Sequence, residues 1–185
     1  MPTTTATIYY VIGAIVLIAI VLAIVWAVRA ARSRELEKRF GPEYDRMLRE
    51  RGDKAAAERE LAARQDRVKR FHIEELPAGA RARYTEEWRT VQSRFVDEPQ
   101  TAVVEADHLV VAVMRDRGYP VENFEQRAAD ISPDHPHVVA DYRVAHDIAL
   151  RSERGEVQTE DLRQAMQHYR TLFNDLLGID ERTRS

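Results

Sequence analysis

Residues 159–178 read TEDLRQAMQHYRTLFNDLLG. Leu162, Ala165, Met166, Tyr169, Leu172, Phe173 and Leu176 recur at steps of three and four, which places them on one face of an α-helix. Polar residues fill the opposite face. Thr159, Glu160 and Asp161 put a candidate cap and two acids where a helix begins, at its positive end. Gly178 stands just past the end, where a left-handed residue terminates helices. A helix with so wide an apolar stripe is stable only against a partner, so the remaining chain must supply one.

The same period recurs outward from this stretch. Val138, Tyr142, Ala145 and Ala149 form one stripe, Val103, Ala106, Val110, Val113 and Met114 another, and Tyr84, Trp88, Val91 and Phe95 a third. Arg51-Gly52, Arg117-Gly118 and Arg154-Gly155 each put a cation in a last turn and a glycine beyond it. Candidate starts are Asp53, Asp97 before Pro99, and Asp134 or His135 before Pro136. No stretch alternates with a strand's period of two. The expectation is an all-α chain. Helices are expected over about 42–51 and 53–70, then in two αα-hairpins, 80–96 with 99–117 and 135–154 with 159–177. The link 119–132 has room for one short helix.

Near the start lies Ile8–Val28, IYYVIGAIVLIAIVLAIVWAV, 21 residues without a charge. At about 1.5 Å per residue such a helix crosses a hydrocarbon core of about 30 Å, and a helix satisfies its own backbone in lipid. Tyr9, Tyr10 and Trp26 sit near its ends, where amphipathic rings favour the interface. Residues 1–7 hold no Lys or Arg, whereas Arg29, Arg32, Arg34, Lys38 and Arg39 follow the span. That asymmetry puts the second flank on the cytoplasmic side and within reach of anionic lipid head groups. A cleaved signal peptide has a basic start and a shorter apolar run. An exported envelope protein is the alternative this would imply. Gly41-Pro42 should end the membrane helix.

The expected order is therefore a short extracytoplasmic N-terminus (1–7), a transmembrane helix (8–28), a basic juxtamembrane segment with a charged helical stalk (29–79), an α-helical domain (80–178) and a frayed tail (179–185). For the mostly polar helix over 53–70 two readings stand. It is either a free stalk or an outer helix lying on the domain with Leu61, Val68 and Phe71 inward.

Composition closes several routes. With no cysteine there is no disulfide, no thiol nucleophile and no cysteine-ligated zinc. The net charge of −3 and interspersed charges show no basic face for nucleic acid. Phosphate loops, His-Glu-x-x-His and Gly-x-Ser-x-Gly are absent from the sequence. No cofactor is expected. The stretch DHPHVVADYRVAH (134–146) is the one that invites a metal reading. On a helix starting at Pro136, His137 and Asp141 would lie about 40° apart and His146 on the far side, so two ligands could meet and a third must come from elsewhere. Glu105 and His108 form Glu-x-x-His, half of a di-iron pattern whose other half the chain lacks. These four residues are the candidates for a metal-binding or enzymatic alternative.

Six stretches, RFGPEYDRML (39–48), RYTEEW (83–88), VQSRFVDEP (91–99), MRDRGYPVENF (114–124), RAADISPDHPHVV (127–139) and TEDLRQAMQHYRTLF (159–173), resemble a family of single-pass, membrane-anchored helical proteins. Its members come mainly from actinobacteria and are often labelled hypothetical or secreted. The resemblance spans about residues 39–177 and implies the same architecture, with no activity, cofactor or catalytic residue to carry over. The expected function is a membrane-anchored cytoplasmic interaction or scaffolding module. Its partners would be the bilayer, anionic lipids and an unidentified protein. Self-association is compatible with it, though the span has no Gly-x-x-x-Gly.

Overall fold

The computed structural model describes residues 3–179, with side chains at 10 and from 12 onward. Among the described residues there are eight helices and no strand: α1 (Thr3–Phe40), α2 (Pro42–Arg51), α3 (Lys54–Val68), α4 (Ala78–Arg94), α5 (Pro99–Asp116), α6 (Phe124–Ile131), α7 (Val139–Glu153) and α8 (Thr159–Leu176). Residues 1–39 and 40–185 are separate compact units. Most of the tail expected to fray lies outside the described residues.

The first unit is the helix α1. Its side chains from Ile12 to Val28 are exposed, Leu22 and Val28 to more than 60%. The helix is long and apolar enough to cross a membrane: its most apolar window has a mean hydropathy of 2.7 and none of that window is buried. Arg29, Arg32, Arg34, Lys38 and Arg39 follow on the same continuous helix, all exposed. Gly41 then takes φ 46° and Pro42 opens α2 at its first turn.

The second unit is built on the two expected hairpins. α4 packs on α5 and α7 on α8, and α5 lies against α8. Ala102, Ala106, Val110, Val113 and Met114 of α5 are fully buried, as are Ala165, Tyr169 and Leu172 of α8. Trp88 stacks on Phe173 with centroids 4.8 Å apart, and Tyr142 meets Tyr169 edge-on at 6.2 Å. Apart from Ala102, those are the residues the apolar spacing selected.

α2 and α3 form a third hairpin, which packs on α6 and α7 in the same compact unit. Met47, Ala57, Leu61 and Val68 are buried there. Of the two readings for the polar helix, the outer helix laid on the domain is the one observed. Asp53 caps α3 by accepting from the Ala56 N–H at 2.8 Å.

Three helix starts differ from expectation. Glu98, not Asp97, precedes α5. Gln158 precedes α8, and its N–H donates to the Asp161 carboxylate at 2.8 Å. The largest change is α7, which begins at Val139 rather than near Pro136. Residues 132–138 instead turn, with the Asp134 and His135 N–H groups both donating to the Ile131 carbonyl. Pro136 disfavours helical backbone at His135, and Ile131 and Ser132 are fully buried, so the chain turns before the helix starts.

Candidate functional site

The histidine-rich stretch 134–146 is where the sequence concentrates titratable groups. The structure spends them on joining elements. The Asp134 carboxylate accepts from the Tyr119 hydroxyl at 3.2 Å. His135 Nδ1 meets the Asp175 carboxylate at the end of α8. His135 Nε2 lies 3.3 Å from Arg117 Nη1, which also donates to the Leu176 carbonyl at 3.1 Å. A guanidinium can only donate, so Nε2 accepts and the ring proton sits on Nδ1 toward Asp175. A general base in a histidine–aspartate pair uses that free Nε2; here Arg117 occupies it. The cleft beside the pair has a volume of about 120 Å³.

Further along, Asp141 Oδ1 lies 2.9 Å from His168 Nδ1, tying α7 to α8. The Tyr142 hydroxyl accepts from Arg127 Nε at 3.0 Å. His146 stacks on Phe124 with centroids 3.6 Å apart and planes 10° apart; burial pulls its pKa below the ordinary value.

Arg143 leads to the densest polar cluster. Its Nη2 lies 3.2 Å from Glu43 Oε1, and its Nη1 is 2.8 Å from Glu125. The same Glu43 oxygen takes Arg64 Nη1 at 2.9 Å and Arg46 Nη2 at 2.8 Å, while Oε2 takes Arg46 Nε at 2.9 Å. One carboxylate, only 3% exposed, therefore holds three guanidiniums from α2, α3 and α7. Burial raises its pKa, but the Arg46 hydrogen bond and the charges of Arg143, Arg46 and Arg64 outweigh that and leave it below the ordinary carboxylate value. A second buried acid, Asp130, takes Arg67 Nε at 2.9 Å and Gln126 Nε2 at 2.8 Å, which joins α3 to α6.

The four metal candidates are not brought together. His137 is exposed in the turn before α7, off the helix that would have aligned it with Asp141. Asp141 is engaged by His168. Glu105 pairs with Arg94, and His108 is exposed beside it on α5. Among the described residues, no group of three or more His, Asp or Glu side chains could hold a metal ion.

Sequence reasoning passed over Glu43 and Asp130, and saw Arg64 only as the i,i+4 partner of Glu60. Glu43 and Arg46 do stand at i,i+3, and Glu60 and Arg64 at i,i+4, a pairing observed at 2.7 Å. Nothing local shows that Arg143, a hundred residues away, completes the cluster. No family model, curated protein or solved structure matches this chain.

Proposed function

We propose that the chain is a single-pass protein of the plasma membrane whose helical domain lies in the cytoplasm and works there as an interaction or scaffolding module. The observation that carries this reading is the exposed apolar surface of α1, from Ile12 to Val28. A continuous belt of Ile, Val and Leu of this extent marks a membrane or protein contact rather than a surface left in water. Support for the orientation is the charge asymmetry: five basic residues at 29–39 and none at 1–7. Those five would face anionic head groups, each worth roughly 1 kcal/mol near the surface, with Glu35 and Glu37 offsetting part.

For the domain, the support is the use to which its charges are put. The Glu43, Asp130 and His135 contacts link α2, α3, α6, α7 and α8 into one unit. Such cross-linking suits a module that presents fixed surfaces to a partner.

The absence of cysteine makes the test clean. Thr3→Cys and Ser185→Cys are introduced singly, and intact cells are treated with a membrane-impermeant maleimide. Labelling of Thr3→Cys alone is expected. Labelling of Ser185→Cys alone would place the domain outside, and its recovery from the medium would make the first helix a signal peptide.

A further inference from the structure

Both ring nitrogens of His135 are engaged, Nδ1 by the Asp175 carboxylate and Nε2 by the Arg117 guanidinium. The backbone fixes the ring in that position: the His135 N–H donates to the Ile131 carbonyl at 2.8 Å, and Pro136 follows. The side chain is 12% exposed. Arg117 is committed in turn. Its Nη1 reaches His135 Nε2 and donates to the Leu176 carbonyl at 3.1 Å, and its Nε donates to the Glu74 carbonyl at 3.3 Å. The Glu74 N–H returns a bond to the Arg117 carbonyl at 3.0 Å. One planar guanidinium therefore ties the end of α8 and the α3–α4 connection (residues 69–77) to the His135 ring.

The arrangement requires a neutral ring. Neutral imidazole has one N–H and one bare nitrogen, whereas the protonated ring has two N–H groups and no acceptor. A proton on Nε2 would set donor against donor and charge against charge across 3.3 Å. On the other side nothing is lost, because Nδ1–H donates to Asp175 in both forms and gains charge assistance when the ring is protonated. The ring therefore stays with Asp175, and Arg117 gives way. The other groups around the ring do not reverse this. Tyr119, edge-on at 6.2 Å, donates its hydroxyl to Asp134 beside His135. Across the cleft of about 120 Å³, Arg81 of α4 adds a second positive charge, with Glu75 of the connection 3.8 Å from it. The cleft is far larger than the roughly 15 Å³ that one water needs, so a displaced guanidinium can be hydrated there.

We propose that His135 is an acid-sensitive latch on the connection 69–77. Imidazole is the side chain whose charge ordinarily changes between about pH 5 and 8. At the upper end of that range neutral His135 holds Arg117, and the connection stays seated on the end of α5. At the lower end the protonated ring keeps Asp175, Arg117 leaves Nε2, and the Glu74 and Leu176 carbonyls lose a fixed donor. The contact exists only while Nε2 carries no proton, so it is present at higher pH and lost as pH falls. Every group involved belongs to the unit 40–185. The latch therefore rests neither on the membrane topology nor on the reading of the domain as an interaction module.

The test uses the full chain in detergent micelles at about pH 7.5 and about pH 5, the two ends of the imidazole range. Two measurements need no substitution. NMR of nitrogen-labelled histidine is expected to show the His135 proton on Nδ1 at the higher pH and protons on both nitrogens at the lower. Hydrogen exchange, corrected for the intrinsic rate at each pH, should show protection of the Glu74 amide falling by about tenfold between the two. A third measurement uses His135→Gln, whose carboxamide offers Arg117 an acceptor and does not titrate; its Glu74 protection should be the same at both pH values. His168→Gln, at the other histidine–aspartate contact, should keep the fall seen in the parent. The proposal is overturned by a proton on Nε2 at the higher pH, a ring still neutral at the lower, or parental Glu74 protection that does not change. A fall that persists in His135→Gln, or one that His168→Gln also abolishes, overturns it as well. The measurements on the parent stand even if a variant does not fold.

Discussion

Taking the Glu43 carboxylate out of water disfavours its charged form, yet three arginines hold its pKa below the ordinary carboxylate value. The folded-state pKa is therefore lower than the unfolded one. Its stabilising contribution is full above an unfolded value near 4.5 and is lost as pH falls through the folded pKa. Glu60, hydrogen-bonded by Arg64 and Arg51, is lowered as well and adds to the same acid loss. Thermal unfolding of the full chain in detergent, followed by circular dichroism, should show a melting temperature that falls once pH drops below about 4.5. Glu43→Gln leaves Arg64 and Arg143 without a buried counter-charge and should cost on the order of 3 kcal/mol at neutral pH. The variant's acid decline should also be shallower. A variant melting with the parent at neutral pH would show that the cluster contributes no net stability.

Helix ends look alike in sequence but differ in what surrounds them. Gly118 and Gly155 each follow an arginine at the close of a helix and each has positive φ, 93° and 72°. A Cβ at position 155 would meet nothing within 4 Å. Position 118 is different: a Cβ there would lie 2.2 Å from the His72 carbonyl oxygen. The Glu74 N–H also bonds to the Arg117 carbonyl at 3.0 Å, so the α3–α4 connection is pressed against the end of α5. Gly155→Ala should cost about 1 kcal/mol, the penalty of a left-handed conformation. Gly118→Ala must also move backbone and should cost on the order of 3 kcal/mol or more. Urea unfolding of the two variants side by side checks this, and equal losses would contradict the close approach. α7 teaches the same lesson, since Pro136 reads as a first-turn proline but the helix starts three residues later.

At the scale of the molecule, residues 40–185 form a compact unit with its own apolar core. A fragment 40–185 should therefore be soluble without detergent and unfold cooperatively, whereas the full chain carries the exposed apolar helix and should require detergent. Gel filtration and a thermal melt of the fragment decide the point. Aggregation, or a melt without a transition, would mean that the domain depends on the preceding helix.

Much of this architecture is legible in the chain because it rests on physics that acts within a turn or two. The uncharged run Ile8–Val28, the stripes of α4, α5 and α8, the break at Gly41-Pro42 and the terminal glycines all depend on neighbours three or four residues away. Charge partners on different helices obey no such period. The thirteen residues 134–146 show three histidines and two aspartates, a composition compatible with metal binding. Only the folded chain turns His137 outward, sets Asp141 against His168, and sets His135 between Asp175 and Arg117. The sequence by itself determined that the chain is helical and that one helix is long and apolar enough to span a membrane. The tertiary structure decided where the charges are spent and that the α2–α3 hairpin belongs to the domain. The reason is physical: helix formation is written in local periodicity, whereas ion pairs and grooves arise where faces far apart in sequence are packed together.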